Sequence, residues 1–147
     1  MTELDDALRR WAEGIYTTEA GVELLIRQGR AIYERAPWLI ETDWAEAGRP
    51  RMVALDVDAL LDGTGGYSGG ESRVIRIAAS LLGGPAVDLS EDLPGLDRTH
   101  TALVLAAIAH ANGSHEHSGV RYNDDGRPVG FTRLTSLYPW PERATVE

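Results

Sequence analysis

Leu4, Leu8, Trp11 and Ile15 recur at helical spacing and predict an amphipathic helix over about residues 3–14, with Gly14 as its stop. Val22, Leu25, Ile26, Gly29, Ile32 and Tyr33 then follow the i, i+3, i+4, i+7 rule and mark the clearest helix in the chain. Thr17 or Thr18 can cap it, Glu19 and Glu23 fall in its positive first turn, and Arg27, Arg30 and Glu34 take its wet side before Pro37 ends it. Residues 38–44 and 51–57 read as strands, because Val53, Leu55 and Val57 alternate with Ala54 and Asp56. The turn-rich segment 46–50 between them predicts a hairpin, and Asp58 can cap one short helical turn after it. A glycine-rich loop at 62–70 leads into a third helix, about 70–82, with Val74, Ile77, Ala78, Leu81 and Leu82 on one face. Asp97 can cap a fourth helix at 98–111, which is apolar nearly all round, should be the most buried, and is closed by Asn112-Gly113. Residues 120–122 and 128–133 predict a second hairpin across Asn123-Asp124-Asp125-Gly126. The order ααββααββ makes the expected fold a single α+β domain over 1–147. In it about four helices pack on a small antiparallel sheet built from β-hairpins.

Composition narrows the chemistry more than it identifies it. The chain has 147 residues, no Cys, a net charge of −9, and fourteen basic residues that are all Arg. The absence of Cys excludes a disulfide framework, a thiolate nucleophile and a Cys-rich zinc knuckle. The absence of Lys excludes a P-loop lysine and a Schiff base. The acidic balance opposes contact with a polyanion, so nucleic acid is an unfavoured partner despite Arg9, Arg10, Arg27 and Arg30. The polar, acidic start (Thr2, Glu3, Asp5, Asp6) does not read as a secretory leader, and the longest apolar run, 102–109, is too short to span a bilayer. A cytoplasmic location with no membrane partner is therefore the expectation. The Arg-only, Ala- and Gly-rich composition fits coding by a GC-rich bacterial genome.

The segment Gly66-Tyr67-Ser68-Gly69-Gly70-Glu71 supports three readings. Its G-x-S-x-G spacing is that of a nucleophile elbow, with Ser68 followed by Asp88, Asp92 or Asp97 and then His100 or His110 in hydrolase order. However, Gly63-Thr64-Gly65 cannot supply the buried strand that such an elbow requires. Ser68-x-x-Glu71 ahead of Val74 is also a capping box for the third helix. Finally, Tyr67-Ser68-Gly69-Gly70-Glu71, with the helix after it and the acidic pair Glu91-Asp92, resembles the signature segment of ABC-type ATPases over about residues 67–97. That resemblance implies nucleotide or phosphate contact at the glycine loop. ATP hydrolysis by this chain alone would need a P-loop, which a chain without Lys lacks.

All four histidines lie between positions 100 and 117. His115-Glu116-His117 is an H-x-H pair suited to a metal on an extended loop, and His110 stands just before it in the last helical turn. His110, His115 and His117 can give Zn²⁺ or Ni²⁺ three imidazoles and leave one position for water. Glu116 would then stand behind the ligands, Asp124 or Asp125 could contribute from the hairpin, and His100 is too far away. Asn123–Gly126 lacks the glutamate that a calcium loop needs.

Since each catalytic pattern lacks a part, the leading expectation is a non-catalytic protein-binding or regulatory module. A partner with a basic surface would meet Trp44, Trp140, Glu41, Asp43 and Glu46. Self-association into a homo-oligomer is compatible with the same features. A metal-binding protein or metal-dependent enzyme using His110, His115 and His117 is the second expectation, and a serine hydrolase at Ser68 is the third.

Overall fold

A computed structural model describes residues 2–42, 48–116 and 118–142. Helix α1 (Glu3–Ala12) starts with a reciprocal cap: Thr2 Oγ1 accepts the Asp5 N–H at 3.1 Å and Asp5 Oδ2 accepts the Thr2 N–H at 3.0 Å. Its apolar stripe, Leu4, Ala7, Leu8 and Ala12, is buried. Helix α2 (Tyr16–Gln28) begins before the threonines expected to cap it, and its N-cap, Ile15, gives no side-chain bond. Glu19 takes over part of that work, with Oε2 accepting the Gly14 N–H at 2.8 Å. The helix ends at Gly29 in the left-handed region (φ 82°), ahead of Pro37, and leaves Ile32 and Tyr33 in the segment beyond.

Strands β1 (Leu39–Glu41) and β2 (Val53–Leu55) pair antiparallel with Leu39 opposite Leu55 and Glu41 opposite Val53. Strand β2 is shorter than the alternation suggests, because Asp56, rather than Asp58, caps helix α3 (Val57–Gly63) by accepting the Ala59 N–H; residues 43 and 44 of the first predicted strand lie outside the described residues. Helix α4 (Gly69–Leu81) carries the predicted capping box of Ser68 and Glu71. A short α5 (Leu89–Asp92) follows, and Asp97 caps α6 (Arg98–Asn112) through the His100 N–H at 2.8 Å.

Helix α2 is the centre of the bundle and packs on α1, α4 and α6. Leu24, Leu25, Val22, Val74, Ala78, Val104 and Ala107 fill the space between them. Helix α6 is not buried all round: Leu103, Val104 and Ala107 face inward, whereas Leu105 and Ile108 are 43% and 51% exposed. Its inward stripe meets α2 and α4, and its apolar composition exceeds what the bundle covers.

Strands β3 (Ser118–Tyr122) and β4 (Pro128–Arg133) form the second hairpin, turned by Asn123 Oδ1, which accepts the Asp125 and Arg127 N–H groups. The fold is thus α+β. Among the described residues it has six α-helices, and its strands fall into two separate two-stranded ladders. None of those helices is long and apolar enough to cross a membrane.

Gly113 closes α6 at φ 80°, and a Cβ there would lie 2.7 Å from the Tyr16 ring. Gly113→Ala is therefore expected to lose stability by at least ~1–2 kcal/mol, the left-handed backbone cost alone. Urea denaturation against wild type measures it.

Candidate metal centre

The turn at Gly113 decides where the histidines go. After it, residues Ser114–Glu116 wind into one 3₁₀ turn that brings His115 back over the last turn of α6. The rings of His115 and His110 stack at 4.4 Å between centroids and 25° between planes. Tyr16, at the start of α2, stands edge-on to His115 at 5.0 Å. From the facing side of α2, Glu19 Oε1 lies 2.8 Å from His110 Nε2. Ligand atoms of Glu19, His110 and His115 all fall within 4.8 Å of one another, and all three residues are half-buried.

The neighbours of His110 assign its tautomer. Glu19 faces it on one side, with Oε2 accepting the Gly14 N–H and Oε1 turned to Nε2. On the other side Trp140 Nε1 stands 3.4 Å from Nδ1, and an indole nitrogen can only donate. Nδ1 therefore accepts, and the proton sits on Nε2 and points at Glu19. His115 differs: among the described residues its Nδ1 is shut off from solvent without a hydrogen-bond partner, while its Nε2 lies 3.9 Å from Glu116 Oε1. A buried polar atom left unbonded costs about 1–3 kcal/mol, and a ligand at that atom would remove the cost.

Tetrahedral zinc with bonds of about 2.0–2.1 Å needs its ligand atoms about 3.4 Å apart. A spread of up to 4.8 Å must then contract by up to ~1.4 Å on loading. Stacked rings direct their in-plane lone pairs nearly parallel, so one imidazole has to rotate toward the other for both to meet the ion. The set is mixed imidazole and carboxylate, which suits borderline divalent ions such as Zn²⁺ and the first-row ions near it.

A cleft of about 330 Å³ opens beside the cluster and shares Glu19 and His110 as lining, together with Arg9, Arg10 and Glu23. Glu23 is its electrostatic centre. Arg9 bonds it through Nε and through Nη2 at 3.3 Å, and Arg27 Nε reaches Oε2 at 2.8 Å. Burial pushes the Glu23 pKa up, but the hydrogen bonds from Arg9 and Arg27 outweigh it and hold the carboxyl below its ordinary value. A depressed folded-state pKa adds stability above the unfolded value of about 4.3, and that stability is lost as pH falls through the folded value. Glu23→Gln should therefore lower stability at neutral pH and flatten its fall on acidification. Paired urea titrations at pH 7 and below 4 test this.

Of the three predicted histidine ligands, His110 and His115 come together, and His117 lies outside the described residues. Glu19, which the sequence presents as a first-turn acid of α2, joins them across the α2–α6 interface. Its position one turn into a helix gives no hint of this, because the pairing of α2 with α6 is a long-range fact. Asp124 and Asp125 stay in the hairpin turn and His100 at the start of α6, and none of them is part of the cluster.

Ser68 acts as the helix cap. Its Oγ donates to Glu71 Oε1 at 2.6 Å, and among the described residues no histidine bonds to it. That bond, with Arg30 behind it at 3.2 Å from Oε2, holds the Glu71 carboxyl below its ordinary value. The glycine loop's positive helix end is thus already taken by a carboxylate.

Asp43, Trp44 and Glu46 lie outside the described residues. Glu41 is exposed and paired with Arg51, which also holds Glu34 at 2.9 Å. Trp140 is half-buried, packed on the core, with the Arg27 guanidinium 5.1 Å above its ring. Comparison with known proteins returns no matching family model, no matching curated protein and no matching solved structure.

Proposed function

We propose that this chain is a metal-binding protein that takes one divalent first-row transition ion, with Zn²⁺ as the reference case, on Glu19, His110 and His115. The observation that carries the reading is the convergence of three ligand atoms within 4.8 Å from two helices and the turn after the second. The unbonded, buried Nδ1 of His115 adds weight. Glu19 and His110 already face each other as carboxylate and Nε2–H, so a cation replaces one proton in a site whose anionic partner is in place. Three protein ligands leave a fourth position for water on the side of the cleft, the arrangement of zinc centres that polarise a ligand rather than only hold a fold. The test uses tag-free protein, freed of metal by chelation and titrated calorimetrically with zinc chloride. The expected result is one ion per chain with a Kd of about 1 μM or tighter, about −8 kcal/mol. Fewer than about 0.1 ions per chain at saturating zinc would overturn it, because a built site binds tightly.

A second reading, a protein-binding module, is favoured by the β3–β4 ribbon. Val120 and Phe131 oppose each other across it and are 42% and 75% exposed. A lone two-stranded ribbon is marginal in water, and a partner that covers its apolar side chains would stabilise it. Phe131→Ser should abolish a complex formed this way while leaving zinc affinity unchanged.

A further inference from the structure

The site is latched by the segment that follows the second hairpin. Leu137 N–H donates to Ser114 Oγ at 3.2 Å, and Ser136 Oγ lies 3.4 Å from the same hydroxyl. Arg27 Nη1 donates to the Pro141 carbonyl at 2.9 Å. Between these two anchors Trp140 places its N–H on His110 Nδ1, the far nitrogen of a ring whose near nitrogen faces Glu19. One imidazole thus joins the metal-site residues to the latch.

We propose that metal loading and the docking of Trp140 are mutually antagonistic, so that a divalent ion at Glu19, His110 and His115 releases the segment around Trp140. The inference rests on the metal-binding reading above. A cation on His110 Nε2 takes the place of the proton there. The ring stays neutral by carrying a proton on Nδ1, delivered through solvent. Nδ1 then changes from acceptor to donor, and it meets an indole N–H that is also only a donor. Two N–H groups facing each other cannot hydrogen-bond, so the Trp140 contact is lost. By linkage, whatever the ion takes from Trp140, docked Trp140 takes from the ion's affinity. Release would leave Arg27 without the ring beneath it and expose the Trp140 indole beside the cleft.

Two measurements test this together. In ¹⁵N-labelled wild-type protein the four tryptophans give four indole N–H signals. One equivalent of zinc chloride should move the Trp140 signal toward that of a solvent-exposed indole. The Trp38 signal, from a buried N–H bonded to the Ala31 carbonyl, should stay in place. In calorimetry Trp140→Phe, which keeps an aromatic ring and loses the N–H, should bind zinc about two- to tenfold more tightly than wild type, the worth of one hydrogen bond. A packing role alone would give the opposite sign or no change. Zinc binding with an unmoved Trp140 signal overturns the antagonism and leaves the metal site standing, as does a Trp140→Phe affinity equal to or weaker than wild type. No zinc binding by either protein overturns both. The wild-type spectrum decides the matter even where the variant folds poorly.

Discussion

Replacing His110 with alanine is expected to lower zinc affinity by at least ~100-fold, beyond the 10–100-fold that loss of an outer hydrogen-bond partner costs. His110 is the hinge of the site: Nε2 meets Glu19 at 2.8 Å, the ring stacks on His115, and no neighbouring group can substitute for it among the described residues. The sharper variant is Glu19→Gln. Its amide oxygen can still accept the Gly14 N–H that opens α2, but its NH2 then faces the His110 Nε2–H, and a neutral amide is a poor ligand for zinc. It should lose affinity to a similar degree and give up about 1–3 kcal/mol of stability, the cost of a donor left without an acceptor. His115→Ala should also lose affinity to a similar degree, and it removes an unbonded buried nitrogen. His100→Ala is the control: its Nδ1 is also buried without a bond, but it sits beside Asp97 at the other end of α6, and its removal should leave zinc affinity unchanged. Isothermal titration of the four variants gives the ranking.

The largest loss of stability is expected at Trp38. Its indole is only 2% exposed, its Nε1 donates to the Ala31 carbonyl at 2.9 Å, and Tyr33 stands edge-on at 5.7 Å. Gly63 has no room for a Cβ, which would fall 2.5 Å from the Trp38 ring, so the end of α3 is shaped around this side chain. Trp38→Ala should cost about 3–5 kcal/mol, since truncation removes buried area and leaves a cavity. At about 2–4 °C per kcal/mol the midpoint falls by roughly 6–20 °C. Trp38→Phe keeps much of the ring but orphans the Ala31 carbonyl, and should cost clearly less. Thermal unfolding of the two variants separates packing from the hydrogen bond.

Trp38 also marks how far the sequence was legible. Local signals were reliable where the chemistry is local. Asp97 and the Ser68–Glu71 pair cap the helices they were expected to cap, Gly113 closes α6, and the Asn123–Gly126 turn carries its hairpin. Where two local signals competed, the sequence left the boundary open: Ile32 and Tyr33 continue the period of α2, yet Gly29 turns the chain first, and Asp56 starts α3 inside what alternation reads as strand. The all-round apolarity of α6 overstated its burial, because periodicity counts apolar residues without knowing which neighbour will cover them.

The site divides the same way. His110 and His115 are five residues apart, and the helix end between them makes their meeting a local matter. Glu19 is 91 residues from His110, and only the packing of α2 on α6 joins them. Trp140 stands in the sequence only as a candidate partner contact. Its indole turns onto His110 and Arg27 through contacts 30 and 113 residues distant in the chain, which composition cannot register.

X-ray absorption at the zinc edge tests the account most directly, on tag-free protein loaded with one equivalent of zinc. The expected spectrum is a shell of nitrogen and oxygen at about 2.0–2.1 Å, with the outer scattering of two imidazole rings that drops to one in His115→Ala. A shell of oxygens alone, or an imidazole signal unchanged in His110→Ala and His115→Ala, would contradict it.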